Sequence, residues 1–216
     1  MANRRNFLVY DLETTGLDPK KGCEIIQIGA LGLKYSDYTI HEVGSFQCVI
    51  KPEYPDKAES TAIKVIGDEL WSKANNSGLH PKTALRKFKD FIESLNWSGK
   101  YWSSPIRVGF NNNSFDDKFL EHWMNHYKVI GQKSDDAPWS NISLDVFSLM
   151  FSIFGRDDLK NNKLDTYAEM LGLSRSSETH DAMEDVEITA EIFQRYMSFT
   201  TKQIRPKIKI KEKETV

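Results

Sequence analysis

The chain has 216 residues, 39% of them hydrophobic and 12% aromatic, with a formal net charge of −2. That is enough chain for one domain with a real core, and no apolar run approaches bilayer-spanning length. Residues 202–216 hold six basic and two acidic side chains, a net +4, so the first 201 residues carry −6. A body that acidic is not a broad electrostatic binder of nucleic acid; such contact has to be local, with cations offsetting the acidic groups. Cys23 and Cys48 form no disulfide framework, and no signal-peptide core follows Met1, so a reducing cytoplasm is the expected setting. The Asn-x-Ser triplets at Asn75, Asn96, Asn112 and Asn141 are then accidents of composition.

In chain order, Phe7–Asp11 reads as a buried strand, Glu24–Leu33 as a second and Val43–Ile50 as a third, joined by short links. Residues 52–80, with Pro52, Pro55, Gly67 and Gly78, read as irregular. Pro81 suits the first turn of a helix whose stripe is Ala84, Phe88, Phe91 and Leu95. Ile106–Phe110 is a short strand, and Phe115, Phe119 and Trp123 begin another helical stripe. Residues 131–140 form a loop, and Leu144–Phe154 fits either element type. Leu164–Leu171 is helical up to Gly172. A last helix over 181–197 turns Ala182, Val186, Ala190, Phe193 and Met197 inward. The pattern is α/β.

Three stretches set carboxylates at the ends of these apolar elements. In "YDLETTGLDP", Asp11 and Glu13 follow the apolar run Phe7–Tyr10. In "VGFNNNSFDDKFL", Asp116 opens a helix after a strand and an Asn-rich turn. In "THDAMEDVEIT", His180 and Asp185 head the last helix. Singly each has an ordinary reading: a loop, a helix N-terminus that favours acid, a surface histidine. Together Asp11, Glu13, Asp116 and Asp185 would repel one another without a counterion, and such hard oxygen ligands suit Mg²⁺ or Mn²⁺.

Asp11-Leu12-Glu13-Thr14-Thr15-Gly16, Asn112 to Asp116, and His180 with Asp185 five positions on resemble the three motifs of the DnaQ-like 3′–5′ exonucleases, in their histidine-containing DEDDh branch. The resemblance spans Phe7 to Met197. Its second and third motifs, Gly109-Phe110-Asn111-Asn112 with Phe115-Asp116-Asp117 and His180-Asp181-Ala182-Met183 with Asp185-Val186, are closer to bacterial exonuclease I; the first is more like proofreading subunits. The family implies a ribonuclease-H-like fold, a mixed five-stranded sheet flanked by helices. It also implies two divalent cations, Mg²⁺ or Mn²⁺, that assist water attack on a phosphodiester. By that resemblance Asp11 bridges both ions, Glu13 and Asp185 complete one site, Asp116 supports the other, and His180 is the general base. In one regular helix His180 and Asp185 would point about 140° apart, so the helix must begin after His180, leaving His180 on a mobile loop. Thr14, Leu17 and Asn112 fall where family members hold the terminal nucleotide or its phosphate; for Leu17 an ordinary turn hydrophobe is an equal reading.

Other features keep plain readings. His122 and His126 have metal-ligand spacing, but Trp123 stands where the zinc-protease pattern needs Glu. The five tryptophans, Trp71, Trp97, Trp102, Trp123 and Trp139, are core or rim aromatics before they are base-stacking platforms. The tail over 202–216 reads as a solvated end beyond an exonuclease domain over 1–201, and its Lys/Ile alternation also permits an edge strand or a substrate arm. Many family members carry an Ile-His-Gly turn where this chain has Val65-Ile66-Gly67, and the chain lacks the length of exonuclease I. The resulting expectation is a metal-dependent 3′–5′ exonuclease acting on single-stranded DNA ends, with no membrane involved. The alternatives are an exoribonuclease resembling RNase T or oligoribonuclease, and a 3′-end-binding or polymerase-associated proofreading module. The intact set of five residues argues against an inactivated relative.

Overall fold

The computed structural model describes residues 5–36, 39–95, 104–131, 137–154, 160–176 and 179–204. Five strands, β1 (Arg5–Thr14), β2 (Ile25–Ser36), β3 (Thr39–Val49), β4 (Ile106–Gly109) and β5 (Ser143–Asp145), form one sheet in the order β3-β2-β1-β4-β5. The first three strands pair antiparallel, and β4 and β5 join parallel, so the sheet is mixed. Among the described residues six α-helices accompany it: α1 (Ser60–Ser77), α2 (Pro81–Ser94), α3 (Asp116–His126), α4 (Val146–Phe154), α5 (Leu164–Met170) and α6 (Ala182–Ile204). This is the expected ribonuclease-H-like architecture.

Strand alternation divides the core into two layers. On one face Leu8, Tyr10 and Leu12 pack with Leu85 and Phe88 of α2 and Phe119 and Met124 of α3. On the other, Phe7 and Val9 pack with α4, α5 and α6, where Phe7 meets Phe193 edge-on at 5.0 Å. Asp11 and Glu13 continue the Phe7–Val9 face. From Phe7 to Asp11 the strand advances about 13 Å, and from Phe193 back to Asp185 the helix spans about 12 Å. The apolar half of this face is therefore covered by α6, and the carboxylates emerge where α6 begins.

Several expectations need correction. β1 does not stop at Asp11: it runs on to Thr14, paired with β2 through a bulge after Glu13, so Asp11 and Glu13 lie inside the strand. Residues 60–77 are helical, not irregular. Ile63, Ile66, Leu70, Trp71 and Ala74 make a helical stripe against Ile26, but Gly67, at φ 80° and ψ 160°, breaks the helix into two segments and obscured the period. The ambiguous apolar segment resolves into β5 followed at once by α4. α6 runs to Ile204, past the expected 197 and into the expected tail; the tail from 205 on lies outside the described residues. Trp123 and Trp139 are core residues, the former donating its indole N–H to the Cys23 carbonyl at 3.0 Å. Trp97 and Trp102 lie outside the described residues.

The start of α6 is set by β2. Gln27 accepts the Ala182 N–H and donates to Asp181, whose Oδ1 in turn accepts the N–H groups of Met183 and Glu184. This is helix capping shared between the chain before α6 and a buried strand residue. Gly29, opposite Asp11 in the β1–β2 register, allows the approach: a Cβ there would lie 2.6 Å from the Ala182 carbonyl and 2.7 Å from the Met183 nitrogen. Gly172 is also special, at φ 72°, but a Cβ there would meet nothing within 4 Å. The two sites separate packing from strain. Gly29→Ala should lower stability by about 1–3 kcal/mol, the cost of overpacking against backbone, and Gly172→Ala by about 1 kcal/mol from left-handed strain alone. Chemical denaturation of both variants checks the order.

Candidate active site

Asp11, Glu13, Thr14, Leu17, Asp116, His180 and Asp185 line one cleft of about 500 Å³. They reach it from β1, the loop after it, the start of α3 and the start of α6. Asp11 and Glu13 are two apart on β1 and share a face. Asp116 begins α3 after a turn in which Asn111 takes φ 62°. Its Oδ1 accepts the Leu12 N–H at 3.1 Å, fastening the helix start to β1 between the two strand carboxylates. Asp145 steadies that turn by accepting the Asn111 N–H at 2.8 Å. Asp117 points away from the cleft into a buried cluster with the Tyr10 hydroxyl and Arg107. Asp185 lies in the first turn of α6, and His180 stands just outside that helix, as the geometry required.

The loop before α6 is not left to itself. The His180 N–H donates to the Val65 carbonyl at 3.2 Å, and Gly67 packs against Thr179 so closely that a Cβ would lie 2.7 Å from its methyl. The kink in α1 is therefore the seat of the His180 loop, built by the stretch that departs from the family's usual turn. His180 Nδ1 lies 3.2 Å from Asp185 Oδ2. Since a carboxylate accepts, Nδ1 carries the proton in the neutral ring and Nε2 is the basic nitrogen.

Two further site residues went unnoticed in the sequence. Arg175 donates through Nε to Asp165 Oδ1 at 2.6 Å, and its Nη1 pairs with Asp185 Oδ1. Lys163, before α5, also lines the cleft. Neither belongs to a motif, and only the fold of α5 against α6 brings them in. Asn112 does not line the cleft. It is fully buried and donates to Ser143 Oγ at 2.8 Å, so it supports the turn from beneath. Thr14 is buried, with Oγ1 donating to the Gly16 carbonyl at 2.8 Å, whereas Leu17 is 75% exposed at the cleft.

Charge crowding shows in the protonation of the site. Burial, then Asp116, Asp185 and Glu13, hold Asp11 well above the usual carboxylate range, while Arg175 pulls it down. Burial likewise raises Asp116, against N–H donation from the backbone of Asp116 and Leu12. Glu13 is pushed up to about 7, by burial first, with His180 acting the other way. His180 is raised above its ordinary value, chiefly by its hydrogen bond to Asp185. Among the described residues, Glu13, His180 and Asp185 offer donor atoms that all lie within 4.8 Å of one another. Carboxylates this crowded, with few protein cations among them, fit a divalent ion.

A family model described as an exonuclease, RNase T, matches residues 8–193, a span that holds all five candidate residues. The chain belongs to this exonuclease family. Its relatives place it among the DnaQ-like 3′–5′ exonucleases: it is 31% identical over 196 residues to a PolC-type DNA polymerase III of Thermotoga petrophila, covering 91% of this chain and 12% of the relative. The fold matches exonuclease I of E. coli in complex with a dT13 oligonucleotide, at TM-score 0.69 and 19% identity, over 94% of this chain and 42% of that one. It matches equally well a 3′-exonuclease recognising a histone mRNA stem-loop, at TM-score 0.69 and 16% identity, over 92% and 65%. The chain thus spans about an eighth of the PolC-type relative and under half of exonuclease I.

The raised carboxylates give a pH signature without metal. A group whose folded pKa exceeds its unfolded value contributes stability below the unfolded pKa and loses it as pH rises through the folded one. For Glu13 that window runs from about 4.5 to about 7, and His180 acts in the same sense above it. In chelator, the wild type should lose on the order of 1–3 kcal/mol from this site between pH 5 and pH 8. Glu13→Gln should flatten that slope, as should saturating Mn²⁺ at the upper end. Denaturant melts across the range, wild type against variant, measure it; equal slopes would remove the charge crowding.

Proposed function

We propose that the chain is a metal-dependent 3′–5′ exonuclease that releases nucleoside 5′-monophosphates from single-stranded DNA ends. The observation that carries this is the convergence of four motif carboxylates and His180 on one cleft, in a chain of the exonuclease family. Asp11, Glu13, Asp116 and Asp185 would hold two divalent cations, Mg²⁺ or Mn²⁺, which activate the water and offset charge on the departing oxygen. His180 takes the proton from the attacking water at Nε2, and Asp185 keeps the ring in the tautomer for that task. Thr14, through its backbone, and Leu17, exposed at the cleft, contact the terminal nucleotide; Asn112 acts through the turn it supports. DNA is favoured by the exonuclease I-like second and third motifs and by the polymerase relative. An exoribonuclease is the second reading, favoured by the equal likeness to the histone mRNA exonuclease. No helix among the described residues is long and apolar enough to cross a membrane, and the free thiols Cys23 and Cys48 suit a reducing cytoplasm.

Digestion of 5′-labelled DNA and RNA oligomers, with and without Mn²⁺, tests the reading directly. Asp11→Asn should abolish shortening while the variant stays folded, since it removes a ligand and relieves repulsion. His180→Ala should slow turnover by about 10²–10⁴-fold, the scale of a positioned base, and leave Mn²⁺ binding by calorimetry in place. Loss of Mn²⁺ binding on that change would make His180 a metal ligand instead. The acidic body and the small cleft point to contact with a few terminal nucleotides, so digestion is distributive: under substrate excess, intermediates of every length accumulate. Deleting residues 205–216, beyond α6, leaves that pattern unchanged if the tail is solvated and shortens strand residence if it is a substrate arm.

A further inference from the structure

Asp185 has both carboxylate oxygens engaged by cationic or protonated partners. Oδ2 meets His180 Nδ1 at 3.2 Å, and Oδ1 pairs with Arg175 Nη1. Arg175 is the unexpected partner. Its side chain is 10% exposed, and it is shared: Nε bonds Asp165 Oδ1 at 2.6 Å, on a carboxylate whose side chain is 45% exposed. The guanidinium thus bridges a solvent-facing carboxylate on α5 and a buried site carboxylate on α6. A planar fork is the group that can hold two carboxylates at once. Its charge also reaches Asp11 and Glu13, where it is a force opposing their crowding.

We propose that Arg175 is a resident counterion that competes with the divalent cation for Asp185. Without metal it neutralises the buried cluster in place of an ion. When a cation engages Asp185, Arg175 gives up Oδ1 and stays on Asp165, its alternative seat. Metal affinity is then set by an exchange between two cations, and Asp165 tilts that exchange toward the metal by keeping the arginine occupied. A purely structural arginine, one that only aims Asp185 at the ion, would act with the opposite sign: its removal would weaken metal binding.

This rests on reading Glu13 and Asp185 as metal ligands, and calorimetric titration of the full chain with Mn²⁺, without substrate, tests the two layers apart. The wild type should bind. Arg175→Gln should bind about tenfold tighter, the equivalent of one lost charge-assisted contact, and should melt lower than wild type in chelator, with the deficit closed by Mn²⁺. Asp165→Asn should bind several-fold more weakly, because the arginine is left with Asp185 alone. Arg175→Lys, which keeps the charge but cannot span both carboxylates, should fall between wild type and Arg175→Gln, and it decides the matter if Arg175→Gln fails to fold. Unchanged or weaker Mn²⁺ binding in Arg175→Gln, or wild-type affinity in Arg175→Lys, overturns the counterion role while leaving the exonuclease reading intact. A wild type that takes up no Mn²⁺ overturns both.

Discussion

The electrostatic cost of the carboxylate cluster is the constraint to which the rest of the structure answers. Glu13, Asp116 and Asp185 are buried and Asp11 is half-buried, and burying a charge is costly unless it is paired, hydrogen-bonded or bound to metal. Each carboxylate receives part of that compensation. Asp116 sits at the positive end of α3 and accepts a backbone N–H from the neighbouring strand. Asp185 sits in the first turn of α6 and holds Arg175 and His180. Asp11 and Glu13 stand on a strand and have no helix end of their own, and their pKa values are raised, as is that of Asp116 despite its helix. The uncompensated remainder lies on β1 and the start of α3, where a cation would offset it.

Holding that cluster requires backbones to approach closely at two places, and both approaches depend on glycine. Gly29 lets the N-terminus of α6 lie on β2, and Gly67 lets the kink of α1 receive the His180 loop. The first is a packing constraint at an ordinary backbone conformation; the second adds a positive φ that only glycine takes cheaply. Neither residue lines the cleft, yet each sets the position of a side chain that does.

The strongest sequence signals were local and survived folding well. The apolar run Phe7–Val9, the turn at Gly172 and the Pro81 helix start could be read directly, because each is a one-dimensional pattern with a physical cause. The resemblance to the exonuclease motifs implied that five polar residues would meet, and, given that meeting, helix geometry required α6 to start after His180. What stayed hidden was whatever depended on partners far along the chain. In the sequence the strand from Phe7 ends at Asp11, because the apolar run stops there; β2 pairing carries it on through Glu13 to Thr14. The stripe of α1 was masked by a glycine whose role is to bend the helix toward a loop more than a hundred residues on. Asn112 matched a motif position yet turns beneath the site to Ser143, a contact made possible by β5 pairing. Arg175 had no motif at all.

These differences divide the site into two halves of unlike construction. Asp11, Glu13 and Asp116 are fixed by sheet hydrogen bonds and by the Leu12 contact, with Tyr10, Asp117 and Arg107 locking the strand to the helix behind them. This half has little freedom, since moving it would break central ladder pairs. His180 and Asp185 belong to a junction of loop and helix, held by the Val65 carbonyl, the cap shared by Gln27 and Asp181 and the Arg175 bridge. On the proposed roles, the rigid half would keep the carboxylate geometry constant, and the tethered half would let His180 and Asp185 adjust as substrate and ions arrive. Differences in substrate among proteins with this fold are then expected in the contacts that tether the second half, such as the kink of α1 and the arginine after α5, more than in the strand that carries the first two carboxylates.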